Sequence, residues 1–150
     1  MKFRVSICVF LAGLLIYACC KKDSESRIVD LKTKSLPELK SILNGRWQLH
    51  YAIISTIAGN IKQEANNNFI VFYPIDSIKW TGRSNNVLIA QDKMIYAWIF
   101  NSYNESAYNL SFHDAILSNT YNWTPEKIEN DTLVFFDNSR VGSSYHLTRK

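Results

Sequence analysis

Cysteine is nearly absent from this 150-residue chain: the three present, Cys8, Cys19 and Cys20, all fall in the first twenty positions. No disulfide framework and no cysteine-based metal site can be built from them, so a hydrophobic core must hold the fold. Glycine is scarce too, and its five copies are isolated, which excludes phosphate-cradling and calcium-binding loops. The three histidines, His50, His113 and His146, lack the spacing of metal ligands or of a nucleophile and its base. The acids Glu126, Glu129 and Asp131 read as a solvated turn rather than a general acid–base pair. No enzyme and no cofactor is expected. Strand–helix alternation and internal repeats are also missing, which argues against a parallel α/β sheet.

The one long apolar run stands at the start. Lys2 and Arg4 precede Val5 to Ala18, "VSICVFLAGLLIYA", which has the length of a secretory h-region. It is short of the roughly 20 apolar residues a spanning helix needs. The following Ile16-Tyr17-Ala18-Cys19 resembles a bacterial lipobox, with an aliphatic residue at −3, a small one at −1 and cysteine at +1. The resemblance implies that residues 1–18 are a lipoprotein signal peptide and that Cys19 becomes a diacylglyceryl cysteine, acylated by a chain such as palmitate on its new amine. Three acyl chains at roughly 0.8 kcal/mol per buried methylene hold a protein to a membrane permanently. Without Lys2 and Arg4, 15 basic residues face 13 acidic ones, about +2, too little to argue for nucleic acid.

Residues 19–34 are polar and aperiodic and read as a lipidated flexible tether. Their "KKDSES" loosely resembles a lysine–acid surface-export signal and reads equally as a solvated linker. Ser35 with Glu38 and Pro37 predicts a short helix, with Leu36, Leu39, Ile42 and Leu43 on one face and a stop at Asn44-Gly45. From Trp47 onward the period is that of strands. Trp47, Leu49, Tyr51 and Ile53 alternate with polar residues, and runs follow at 68–73, 77–80, 86–90, 94–100, 107–112, 115–123, 131–136 and 143–148. The breaks are turn chemistry, among them Asn66-Asn67-Asn68 and Val141-Gly142. The expectation is an all-β domain over 35–150, an antiparallel up-and-down barrel of 8–9 strands with a short N-terminal helix.

In such a barrel the first and last strands are neighbours, which brings Trp47 to Arg149 for a cation–π contact. Gly45-Arg46-Trp47 after a short helix, with an arginine ending the last strand, resembles the lipocalins. More closely, "LNGRWQL" and "DTLVFFDN…YHLTRK" resemble the small lipocalin-like domains of bacterial lipoproteins. The resemblance covers about Leu43 to Lys150 and implies that Trp47 and Arg149 close one end of the barrel. The long helix that follows the barrel in full lipocalins has no counterpart here, so their deep pocket is not carried over.

Seventeen aromatics remain after the signal. Tyr51, Phe72, Tyr96, Trp98 and Phe112 are candidates to line a cavity for a small hydrophobic ligand, or else to fill the barrel; eight strands leave room for either. The competing function is a structural or protein-interaction lipoprotein, an accessory or inhibitor subunit, with an exposed patch near Tyr103, Tyr108 and Tyr121. A hydrolase built on His113 and Asp114 is a distant third. Partners expected are a membrane through the lipid anchor, a small hydrophobic ligand or an envelope protein, and no nucleic acid. The chain is expected to be a monomer held at the outer membrane, on its periplasmic face or at the cell surface. Asn-x-Ser/Thr triplets at Asn104, Asn109, Asn122 and Asn130 reflect composition, and Asp76-Ser77-Ile78 and Asp131-Thr132-Leu133 resemble an Asp-Ser/Thr-aliphatic O-glycosylation pattern.

Overall fold

The computed structural model describes residues 27–82, 88–100, 105–114, 118–139 and 142–150. The signal segment 1–18, Cys19 and the first part of the tether lie outside them. The body begins before residue 35. Ile28–Asp30 forms strand β1, paired antiparallel with Lys127–Glu129. Leu31 behind it is fully buried, and its amide donates to the Glu126 carbonyl at 2.8 Å. The tether expected over 19–34 is therefore too long at its C-terminal end. Val29 and Leu31 are apolar residues in a polar stretch, and burying them docks that stretch on the body.

Glu38 starts helix α1 (Leu36–Leu43) by accepting hydrogen bonds from the Ser35 amide at 3.0 Å and the Ser35 hydroxyl at 2.7 Å. The same bonds, hydroxyl first, hold its carboxyl below the ordinary value. Pro37 is tolerated because a first-turn N–H has no helical acceptor in any case. Leu39 and Leu43 are fully buried, and Gly45 turns the chain at φ +121°, where a side chain would be strained.

The strands that follow are β2 (Gly45–Thr56), β3 (Gly59–Tyr73), β4 (Ser77–Thr81), β5 (Leu88–Lys93), β6 (Ile95–Phe100), β7 (Ser106–Asp114), β8 (Asn119–Glu129), β9 (Thr132–Asp137) and β10 (Ser143–Arg149). They form one antiparallel sheet in the order β5-β4-β3-β2-β10-β9-β8-β7-β6. The all-β, up-and-down expectation is met: the first long strand, β2, lies beside the last, with Trp47 opposite Arg149. β5 and β6 are separated by Met94 alone, yet β5 pairs with β4 and β6 with β7. They behave as two halves of one bent strand, and β5 lies against β7. Counted so, eight strands curl into a half-barrel. Among the described residues β5 pairs only with β4 and β6 only with β7, so the bent strand, continuous through Met94, links the two ends of the sheet order.

Inward positions stack aromatics around the fully buried Trp123. Its ring centroid lies 4.5 Å from Tyr145, 4.9 Å from Phe112, 5.3 Å from Phe135 and 5.4 Å from Trp80. Each such pair adds about 0.5–1.5 kcal/mol to the burial of its area. Below them Ile70, Phe72, Ile78, Leu133 and Leu147 fill the space down to α1. That end is sealed with polar bonds as well. The Trp47 indole donates to the Leu43 carbonyl at 2.7 Å, and Arg149 donates to the carbonyls of Ile42 and Asn44 at 3.1 and 2.8 Å. The Arg149 guanidinium lies over the Trp47 ring, 5.2 Å from its centroid.

Candidate functional site

Opposite α1 the half-barrel is not filled, and the reason is a paired irregularity in β2 and β3. Register runs from Leu49↔Asn68 to Tyr51↔Glu64, skipping His50 on one strand and residues 65–67 on the other. The β2–β10 ladder shifts at the same place, between Leu147↔Leu49 and His146↔Tyr51. Asn67 adopts φ +61°, a left-handed conformation that asparagine tolerates better than most residues. Bulges reverse which face a side chain takes, because the strand period is two residues. Trp47 and Leu49 point inward, but beyond the bulge Ala52 and Ile54 replace Tyr51 and Ile53 as the inward pair. On β3 Ala65 takes the equivalent place.

Ala52 thus stands where the larger Tyr51 was expected, and with Ala65 facing the same space a cleft of about 200 Å³ is left. Leu49, Ala52 and Ile54 of β2, Ala65 and Asn68 of β3, Trp80 of β4 and Tyr145 of β10 line it from neighbouring strands, Tyr121 of β8 completes the lining, and the exposed Gln63 and Glu64 stand at the rim. The aromatic side is rigid: Trp80 lies 5.3 Å from Tyr121 and 6.2 Å from Tyr145. Tyr121 stacks on Phe112 at 5.2 Å, and the Tyr145 hydroxyl donates to the buried Asp137 carboxylate at 3.3 Å. Asn68 is 8% exposed and Trp80 6%, and the Asn68 Oδ1 and Trp80 Nε1 atoms are buried without a hydrogen-bond partner. Leaving such groups unpaired costs about 1–3 kcal/mol each.

The five aromatics expected to line a cavity are dispersed. Tyr51 is turned outward by the bulge and stacks on His146 at 4.3 Å, with the Lys62 ammonium 4.2 Å over its other contact surface. His146 is half-buried there, and burial first, then Lys127 and Lys62, lowers its pKa. Phe72 and Phe112 are core residues beneath the cleft, packed on Phe135 and on Tyr121 and Trp123. Tyr96 sits near α1 with the Lys40 ammonium 4.9 Å over its ring, and burial, then the Asp76 charge, raises its hydroxyl pKa. Trp98 packs edge-on against Tyr108 at 4.7 Å but is 55% exposed, on the strand that ends the sheet order. Neither Tyr51 nor Trp98 lines the cleft.

Other expected features also move. Of the expected patch near Tyr103, Tyr108 and Tyr121, Tyr103 lies outside the described residues, Tyr108 is half-buried and Tyr121 faces the interior. His113 is exposed, and its Nδ1 lies 3.4 Å from the Thr120 hydroxyl. Among the described residues no group of three His, Cys, Asp or Glu side chains is placed to hold a metal. Asn109 is buried in a polar network, its Oδ1 accepting from Asn138 at 2.8 Å, so that triplet is inaccessible as it stands. A larger groove of about 520 Å³ runs along the outer wall between Val29, Ile128 and Asp131. None of the buried unpaired polar atoms belongs to it.

The geometry defines an antiparallel half-barrel with a sealed end, an aromatic core and one open cleft. No protein-family model, no curated protein and no solved structure matches the chain.

Proposed function

We propose that this chain is a lipocalin-like lipoprotein, anchored through Cys19 at the outer membrane of a bacterial envelope, that binds a small, largely apolar molecule in the cleft beside Trp80. One observation supports the binding reading: the bulge turns Ala52 inward where the alternation offered Tyr51, Ala65 faces the same space, and the result is a cleft of about 200 Å³ against three aromatic rings. A cavity of about 150 Å³ is enough to hold a benzene-sized molecule. The binder is proposed to be non-enzymatic and to act as a monomer.

The test is a thermal-shift screen of the full chain against small aromatic and aliphatic compounds. A compound present at 100 times its Kd should add about 2.7 kcal/mol to the folded state. Ala65→Leu, which fills the cleft, should remove the shift. A screen in which no small apolar compound raises Tm would refute the binding reading.

The competing reading is an accessory protein-interaction lipoprotein. It is favoured by Ile57, Ile75, Ile95 and Trp98, which are large apolar side chains left exposed on turns and on an end strand.

A further inference from the structure

Asn68 and Trp80 carry unlike polar atoms. The indole Nε1–H can only donate, and Asn68 Oδ1 can only accept. Their strands are paired with Ile70 opposite Trp80, and Asn68 lies two residues along β3 from Ile70 on the same face. Such diagonal neighbours have Cβ atoms roughly 7–8 Å apart or less, within reach of long side chains. A single hydroxyl oxygen held between them can therefore accept from one and donate to the other. Trp123 Nε1 is also buried and unpaired, but Trp123 is not part of the cleft lining.

Apart from Gln63 and Glu64 at the rim, the remaining lining residues are apolar or aromatic, and the size of the cleft excludes a long chain in an enclosed position. An acyl chain would leave both polar atoms as they are. A flat ring with a hydroxyl would lie against Trp80 and Tyr121 and satisfy both. We infer that the cleft selects a phenol-class ligand, a small aromatic ring whose hydroxyl bridges Trp80 Nε1 and Asn68 Oδ1. This rests on the binding reading given above and narrows it.

The matched pair p-cresol and toluene, which differ by that hydroxyl alone, tests it, with decanoate as the acyl probe. Each is titrated into the full-length protein and followed by ligand-observed NMR. Expected is p-cresol binding at least tenfold tighter than toluene, with the preference reduced to less than threefold in Asn68→Leu and in Trp80→Phe. If either variant fails to fold, the ratio measured on the unaltered protein still decides. Toluene or decanoate binding as well as p-cresol would overturn the phenol assignment while leaving an apolar binding site standing. Binding of none of the three would overturn both.

Discussion

Replacing Arg149 with methionine should unseat α1 from the sealed end of the half-barrel. The guanidinium makes two hydrogen bonds to the carbonyls that end the helix, 3.1 Å to Ile42 and 2.8 Å to Asn44, and covers the Trp47 ring at 5.2 Å. Because Arg149 is exposed, water replaces it at both carbonyls, and each bond is worth about 0.5–1 kcal/mol rather than a full burial penalty. A cation at a helix C-terminus adds about 0.3–1 kcal/mol, and the cation–π contact about 0.5–1 kcal/mol at an exposed site. These terms share one charge and overlap, so the expected loss is about 2 kcal/mol. That is a large fraction of the 5–15 kcal/mol typical of a domain. Urea unfolding followed by tryptophan fluorescence would read it as a fall in midpoint of about 1–2 M at unchanged slope. Both bonds leave one nitrogen, Nη2, so Arg149→Lys should recover the charge but not the planar guanidinium over Trp47 or its reach, and so about half the loss. A methionine variant within 0.5 kcal/mol of the parent would refute the idea that this residue clamps the helix. A loss undiminished in the Trp47→Phe background would refute the ring contact's share alone, since the bonds to Ile42 and Asn44 do not pass through Trp47.

The remaining predictions concern the cleft, the outer wall and the anchor. Ala65→Leu adds three carbons to open space, each worth up to about 0.8 kcal/mol, and should leave stability equal or higher by urea unfolding while weakening cleft binding more than tenfold. A loss above 1 kcal/mol would mean the cleft is smaller than described. His146 has a folded pKa below its ordinary 6.5, chiefly from burial, so the unfolded chain binds the proton more readily. Its contribution to stability is complete above pH 6.5 and is lost as pH falls through the depressed folded value. His146→Phe keeps the stack on Tyr51, and should flatten stability against pH below 6.5; an unchanged slope would assign that dependence to other groups. Cys19→Ser should accumulate as an unprocessed precursor on denaturing gels and by mass spectrometry, and normal maturation would refute the lipobox assignment.

Chain direction and closure were legible from residue types, because they follow from periodicity and from what each terminus carries. Leu39 and Leu43 at helical spacing, the Ser35–Glu38 pair, and the alternation that leads from Trp47 and ends at Arg149 all act locally or through one ladder. The cleft was not legible because it depends on a register shift. Reading β2 as uninterrupted alternation places Tyr51 inside, and one extra residue, His50, reverses every side chain beyond it. The sequence does carry a trace of that event: Asn66-Asn67-Asn68 reads as a turn, and Asn67 does take a left-handed conformation, but inside a fifteen-residue strand rather than between two. The polar segment Gly59–Glu64 gave no strand period at all, since both of its faces are exposed beyond the barrel wall. It is a strand only because β2 offers it a ladder.

The two ends of the half-barrel differ in how they treat the same kind of side chain, and that difference locates the site. Trp47 and Trp80 are both inward-facing, nearly buried indoles on neighbouring parts of one sheet. At the sealed end the folded chain supplies Trp47 with an acceptor, the Leu43 carbonyl, and supplies that helix end with Arg149 as a cation. At the open end Trp80 has no acceptor and Asn68 Oδ1 no donor, although both are as buried as core residues. Buried polar groups in native proteins are overwhelmingly satisfied, so a donor and an acceptor left together on one cleft wall point to a partner from outside the chain. Water would satisfy the two atoms without using the aromatic face. A ring that bears a hydroxyl uses both, which is why the comparison of p-cresol with toluene separates a wet cleft from a binding site.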